Sequence, residues 1–273
     1  MTKTISCIIP TFNRKDYLKE AVISVVNQSF PAHEIIIVNN GTQQVELPTE
    51  LLAKVKIFDI MPRAGSVQAR NFGSCIATGD YLAFLDDDDL WSVDYLKNVA
   101  EAIETGATVI ASRVDLKDND TITPYRNPEG KATIKNFLTV NPGIYCSNFV
   151  ISKDVFYTVC GFDPKIVPSE DKGIVMEILK QNIPIKILQN NQSIRREHQN
   201  MRLTDPEKIV SGIRHFIRLY GSLMNWEEYI YNWKKIYKCR YKFGKKIFFI
   251  PYLILGVLVK TIKLTKRLLG KRN

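Results

Sequence analysis

Short apolar runs and amphipathic stretches alternate along the first half of the chain. Ile5–Ile9 is a compact apolar run closed by Pro10, the pattern of a buried parallel strand that ends where its ladder must stop. From Lys15 to Gln28, the residues Leu18, Val22, Val25 and Val26 recur at helical spacing. A second apolar run, Glu34–Val38, ends in Asn39-Asn40-Gly41. Val55–Ile60 reads as a third strand, and Ser66–Ala77 as a helix stopped by Gly79. Tyr81–Leu85 is a fourth strand running directly into Asp86-Asp87-Asp88-Asp89. An amphipathic helix over Val93–Glu104 and a fifth strand over Thr108–Ser112 follow. This β-α-β order predicts an α/β fold with a mainly parallel sheet covered by helices on both faces. Ligands of such sheets bind beyond the carboxyl ends of the strands. The ends at Pro10-Thr11-Phe12-Asn13, Asn39-Asn40-Gly41 and the four aspartates are therefore expected to share one rim. Past residue 112 the alternation weakens: Lys117–Lys131 reads as a polar loop, Gly143–Ser152 as a candidate strand, and Asp171–Gln181 as a helix. No internal repeat is evident.

Composition narrows the class. The 273 residues allow one large domain, or one domain with an appendage, and 45% hydrophobic content excludes a mostly disordered chain. No apolar run reaches the roughly 18 to 20 residues that span a bilayer. The amino terminus leads straight into a strand and carries no secretory signal, and the five cysteines are odd in number and scattered. Neither a disulfide framework nor a zinc site is suggested, and a reducing cytoplasm is expected.

Charge divides the chain in two. Residues 1–200 carry 21 Lys and Arg against 24 Asp and Glu, a net −3, whereas residues 201–273 carry 17 against 4, a net +13. A body over 1–204 and a basic helical region over 205–273 are expected. From Lys234 to Asn273 there are 13 Lys and Arg and no acid, and the apolar run Ile247–Val259 lies among them. Thirteen residues make about 20 Å of helix against roughly 30 Å of hydrocarbon, too short to span. Lying in the interface on anionic headgroups is the physically reasonable use, and an oligomer-forming or core helix is the other. The long aliphatic run fits lipid better than nucleic acid.

Candidate chemistry sits in two acidic clusters. Four adjacent aspartates at a strand end repel one another unless something compensates, and a divalent cation such as Mg or Mn bound by carboxylate oxygens would do so. Alternation along an extended segment lets Asp86 and Asp88 share a ligand while Asp87 points elsewhere. A solvated acidic turn is the plainer alternative. The second cluster, Glu170-Asp171, follows Ser169 at a helix start, where capping and catalysis are compatible. Arg70 offers a bidentate fork for phosphate or an ordinary salt bridge. In Arg195-Arg196-Glu197-His198, the histidine is a candidate for metal or diphosphate, or simply a satisfied side chain.

These residues together resemble the inverting family 2 glycosyltransferases of the GT-A fold. The resemblance runs through Ser6–Arg14, Ser24–Phe30, Glu34–Val38, Ala69-Arg70-Asn71-Phe72-Gly73, Gly79–Asp89, Gly161-Phe162-Asp163 and Glu170-Asp171, covering about residues 4 to 200. It implies that Pro10, Thr11, Asn13 and Arg14 help hold the base and ribose of a nucleotide, with Arg70 nearby. The Asp-x-Asp element falls on Asp86 and Asp88, the latter binding the metal and the former the ribose or the metal, with Asp87 between them. Asp171 falls on the catalytic base, with Glu170 beside it. One departure stands out. Relatives end their second strand in two aspartates before Gly-Ser, whereas this chain has Asn39-Asn40-Gly41-Thr42. Asn39 remains a candidate base contact, but an amide both donates and accepts where a carboxylate only accepts, so uracil preference is open.

The implied reaction is transfer of a sugar from a nucleoside-diphosphate donor, UDP-sugar favoured, to a hydroxyl of a glycan or lipid-linked acceptor. The expected setting is surface polysaccharide synthesis on the inner face of a plasma membrane. A divalent metal is the implied cofactor, an anionic membrane surface and a second copy are candidate partners, and nucleic acid is not expected. Two other readings remain. A nucleotidyltransferase would share the acidic rim, but Thr11-Phe12-Asn13 is not a Gly-rich phosphate loop. A silent scaffold would explain Asn39-Asn40, though not the retained Asp86, Asp88 and Asp171.

Overall fold

The structure is a computed structural model that describes residues 3–118, 121–196, 205–243 and 246–269. In chain order its elements begin β1 (Ile5–Thr11), α1 (Lys15–Val26), β2 (Glu34–Asn39), α2 (Thr49–Leu52), β3 (Lys56–Asp59), α3 (Ser66–Ile76) and β4 (Tyr81–Phe84). They continue with β5 (Asp89–Trp91), α4 (Tyr95–Glu104), β6 (Val109–Asp118), β7 (Thr121–Arg126), α5 (Ile134–Phe137), β8 (Phe149–Ser152), α6 (Lys153–Thr158) and α7 (Glu170–Lys180). The last are β9 (Lys186–Arg196), α8 (Pro206–Tyr220), α9 (Trp226–Lys242) and α10 (Phe249–Leu269).

The strands form one sheet in the order β3-β2-β1-β4-β8-β6-β9-β5, with β7 added to β6. The half built from β3, β2, β1 and β4 is parallel throughout. It positions the site, because its strands all end on one rim. Period-2 alternation splits the residues of each strand between two cores. Ile8, Ile36, Val38, Leu82 and Phe84 face a core completed by α3, α7 and α8. Cys7, Ile9, Ile35, Ile37 and Ala83 face the other, filled by Leu18 and Val22 of α1 and by Leu96 and Val99 of α4.

The mainly parallel α/β sheet with flanking helices is as expected, and its second half departs in instructive ways. In the parallel half, β1 continues through Pro10 to Thr11, two residues past the expected run Ile5–Ile9. The segment 117–131, expected as a loop, instead holds β7, antiparallel to β6. Every residue of β7 is exposed, so no apolar alternation marks it. Of the stretch 143–152, only Phe149–Ser152 is a strand, antiparallel to both β4 and β6. β5 and β9 were invisible to apolar periodicity. β5 has three residues, and β9 passes through Gln189-Asn190-Asn191-Gln192 while pairing in parallel with β6.

The C-terminal region is helical, as its pattern suggests, yet α8 packs into the body. Phe216 and Tyr220 belong to the same core as Ile8 and Phe84. A Cβ at Gly212 would lie 2.3 Å from the Val167 oxygen, so α8 rests directly on the backbone leading into α7. From α9, Asn232 donates to the Leu138 carbonyl at 2.9 Å, and Lys235 donates to the Thr139 carbonyl. α10 lies on α9 through Tyr241, whose ring centroid is 4.9 Å from that of Phe249. Among the described residues no helix is long and apolar enough to cross a membrane. The expected boundary at 204/205 adjoins residues outside the described ones, and Glu197 and the candidate His198 lie among those outside.

Candidate active site

The rim brings together the ends of β1, β2 and β4 and the start of α7. At the end of β4 the chain turns sharply, because β5 leaves antiparallel to β9 only a few residues later. The four aspartates therefore diverge. Asp87 is buried and turns towards β1, where it accepts from the Thr11 hydroxyl at 2.8 Å, the Phe12 N–H at 3.3 Å and Arg14 at 3.2 Å. Burial, reinforced by Asp88, pushes its carboxyl up to about 6 despite those donors. Asp88 is ion-paired with Arg14, and Asp86 with Arg70. Asp89 is buried, accepting from the Ser147 hydroxyl at 2.6 Å and the Arg196 N–H at 3.3 Å. Burial, with Asp86 and Asp88 adding to it, pushes its carboxyl up to about 8. Arg196 also donates to the Asp88 carbonyl at 2.6 Å and pairs with Glu20, fastening the acidic turn to α1.

Carboxylate oxygens of Asp86, Asp88 and Asp89 all lie within 4.8 Å of one another. An all-oxygen donor set of this size fits a hard divalent cation such as Mg or Mn. The half-exposed Asp86 and Asp88 would hold it from the solvent side, with Asp89 behind them.

Arg70 joins this tip to the second acidic cluster. It is 3% exposed, and its guanidinium bridges Asp86 and Glu170, the latter at 2.9 Å. Burial alone would raise the Glu170 carboxyl, but Arg70 and the Ser169 N–H outweigh it and hold Glu170 below the usual range. Asp171, one residue on, has no such cation. It accepts from the Asn141 amide at 3.0 Å and from the Lys172 N–H at 2.6 Å. Burial, then the neighbouring Glu170 charge, pushes it up to about 7. Lys172 sits over the Phe216 ring at 3.5 Å, and burial together with Lys235 drives its amine down to about 6. A carboxyl poised near neutrality beside a charged one is what a general base requires.

The end of β2 is held by amides. Asn39 donates to Asp59 at 2.7 Å and to the Gln43 carbonyl at 2.9 Å, and accepts from the Gly41 N–H at 2.9 Å. Asn40 ties β2 to β1 by donating to the Thr11 carbonyl at 2.7 Å. Asn13, at a φ of 53°, accepts from the Thr42 and Gln43 N–H groups, and a Cβ at Gly41 would clash with its oxygen. A pocket beyond these ends is lined by Thr11, Asn13, Arg14, Asn39 and Gln43. Pro10 is paired with Val38 inside the sheet and stands behind this pocket, outside its lining.

The structure thus places Thr11, Asn13, Arg14 and Asn39 around one pocket, and links Asp86, Arg70, Glu170 and Asp171 in a neighbouring chain of contacts. It adds residues the sequence reading did not single out. Asn141 carries a turn signal, Asn-Pro-Gly, but nothing tied that turn to Asp171. Ser147, which donates to Asp89 and accepts from the Asp86 N–H at 3.1 Å, has no local signature.

Comparison with known proteins gives concordant matches. The sequence model described as glycosyl transferase family 2 matches residues 6–160. The Bacillus subtilis protein TuaG, named for teichuronic acid biosynthesis, is 35% identical over 102 residues, which cover 36% of this chain and 40% of TuaG. A Haemophilus influenzae glycosyltransferase is 36% identical over 98 residues, covering 34% of this chain and 39% of its own. These matches span about two-fifths of those relatives. The Escherichia coli protein WcaA, named for colanic acid biosynthesis, is 24% identical over 252 residues, covering 87% and 88%. Among solved structures, S. aureus TarS 1–349 in complex with UDP-GlcNAc is similar in fold, with a TM-score of 0.63 at 17% identity, covering 89% of this chain and 74% of that one.

Proposed function

The chain belongs to glycosyl transferase family 2, and from that membership we propose that it moves a sugar from a nucleoside-diphosphate donor to a hydroxyl of a glycan or lipid-linked acceptor, inverting the anomeric centre. The observation that carries this reading is the contact chain Asp86–Arg70–Glu170, which links the aspartate tip to the residue next to the raised Asp171 carboxyl. Asp171 takes the proton of the acceptor hydroxyl, oriented by Asn141. The acceptor oxygen attacks the anomeric carbon from the face opposite the diphosphate, whose bond to the sugar breaks, so a single displacement inverts the centre. A divalent cation held by Asp86 and Asp88, when bound, supplies charge neutralisation on the departing diphosphate. Thr11, Asn13, Arg14 and Asn39 line the pocket for the nucleoside, and Arg70 stands beside the diphosphate.

A uridine nucleotide is favoured because the similar fold of TarS was solved with UDP-GlcNAc. The names of TuaG and WcaA favour a surface polysaccharide as product. The C-terminal region supports association with the inner face of a plasma membrane. On α10, Ile250, Ile254 and Val257 are spaced along one face and are 66%, 61% and 65% exposed. The flanking cations would each contribute about 1 kcal/mol near an anionic surface.

The test is a donor screen: purified full-length protein with a panel of nucleoside-diphosphate sugars and Mg or Mn, followed by thermal shift and nucleoside diphosphate release. A UDP-sugar is expected to raise the melting temperature and to turn over only with metal. Failure of every donor in both measurements would overturn the reading. Removing residues 246–273 is expected to release the protein from membranes on fractionation; unchanged association would reject the anchoring role.

A further inference from the structure

Two arginines and two tyrosines gather around the loop whose Asn141 bonds Asp171, and take no part in the donor chemistry above. Arg126 of β7 is registered with Val114, and Arg195 of β9 with Leu116, two positions along β6. The β6–β7 pairing shifts register between Val114 and Asp115, and it is the shared Tyr125 ring that brings the two guanidiniums together. Tyrosine rings hold them there. The Arg126 guanidinium carbon lies 5.2 Å from the Tyr125 ring, and that of Arg195 lies 5.9 Å from the same ring and 5.4 Å from Tyr145. Tyr145 belongs to the loop whose Asn141 bonds Asp171, and its hydroxyl feels Arg126, Arg195 and Asp171 together.

The other arginines of the site are committed: Arg14 to Asp87 and Asp88, Arg70 to Asp86 and Glu170, and Arg196 to Glu20. Among the described residues, neither Arg126 nor Arg195 forms an ion pair with a carboxylate. Asp89, registered with Arg195 across β5 and β9, accepts instead from Ser147 and the Arg196 N–H. Arg126 is exposed and Arg195 half-buried. Arg195 acts on the Asp89 carboxyl from a distance, but two guanidiniums without an ion-paired carboxylate, oriented by aromatic faces, suit recognition of a phosphoryl or carboxylate group.

We propose that the acceptor is anionic, carrying a phosphoryl or carboxylate group that sits between Arg126 and Arg195 while its reacting hydroxyl faces Asp171. This rests on the glycosyl-transfer reading and deepens it by naming the acceptor class. The anionic group takes no part in bond making. The hydroxyl proton still goes to Asp171, the new bond forms at the anomeric carbon, and the diphosphate still leaves with the electron pair.

The experiment measures binding to the full chain with UDP and Mg occupying the donor side, so that an added phosphate must find another site. The probes are methyl glucoside, its 6-phosphate and methyl glucuronide, followed by ligand-observed NMR. At least one charged probe is expected to bind ten-fold or more tightly than the neutral glycoside, and which one wins separates phosphoryl from carboxylate recognition. That ratio is expected to fall below about three in Arg126→Gln and again in Arg195→Gln, each checked for folding by circular dichroism. Equal binding of charged and neutral probes would overturn the proposal, as would a ratio that survives both substitutions. The donor screen reports separately. Charge preference without donor turnover leaves the anion site standing and removes the transfer reading, whereas turnover without charge preference does the reverse.

Discussion

The tip of β4 and the start of α7 are both acidic, and the protein treats them in opposite ways. At the tip, four carboxyls meet three arginines. Arg14 and Arg70 neutralise the outward pair, Asp88 and Asp86, while Arg196 clamps the turn through the Asp87 and Asp88 carbonyls. At α7, two adjacent carboxyls lie near Arg70, which divides its bonds between Asp86 and Glu170 and acts on Asp171 only through its charge. At the tip, Asp86 and Asp88 pair with arginines at the half-exposed face, while burial pushes the Asp87 and Asp89 carboxyls up to about 6 and about 8. At the helix start, burial and then the Glu170 charge push Asp171 up, and the ion pair of Arg70 goes to Glu170. Burial first, and then the placement of charge around it, decides which of these carboxyls holds its proton.

The sharpest way to break this contrast is to remove the carboxyl proposed as proton acceptor. Asp171→Asn is expected to lower kcat by about 10²–10⁴-fold while the protein stays folded. Retained turnover in a steady-state assay would assign the base elsewhere. Arg70→Met attacks the bridge itself. It strands Asp86 and Glu170 without their shared cation, and a loss of about 3–5 kcal/mol is expected in urea denaturation. A loss under about 1 kcal/mol would mean that the two regions are energetically independent.

Titration sharpens the comparison further. Asp171 must be ionised to accept a proton, so kcat is expected to rise with pH through about 7, its raised value, and to level off above it. Folding stability follows the opposite sign. Between the ordinary carboxylate range and about 7, the folded protein holds a proton on Asp171 that the unfolded chain has lost, so this group's contribution falls as pH rises through that window. Asp171→Asn is expected to flatten both slopes together. A smaller effect tests the amide-held end of β2. Asn39→Asp would replace the donor to Asp59 and Gln43 with a second carboxylate, and a loss of about 1–3 kcal/mol is expected in thermal unfolding at pH 7, shrinking at pH 4.

How much of this was legible in the sequence follows the same physical lines. The parallel half reads clearly because Ile5–Ile9, Glu34–Val38 and Tyr81–Leu85 are buried on both faces and nearly continuous in apolar residues. Their ends, and hence the shared rim, follow from strand direction alone. β7 and β9 do not read, because β7 is an exposed ribbon and the middle of β9 is Gln and Asn. In both, backbone pairing with β6 holds the strand without an apolar stripe. At the candidate site, the motif singled out Asp86, Asp88 and Asp171, and their place at the rim follows from the strand end and helix start that carry them. The roles of Asn141, Ser147 and Arg196 depend on contacts across 30, 58 and 108 positions, a separation that no local pattern encodes.

The seating of α8 against Val167 also bears on how the chain can be trimmed. A shortened version ending near residue 204 would look natural from the jump in basicity there, yet it would strip Phe216 and Tyr220 from beneath the sheet and unpin the approach to Asp171. Truncation past Phe243 spares those props and discards only the oily, cationic helix. A soluble, crystallisable enzyme is to be sought from that second cut.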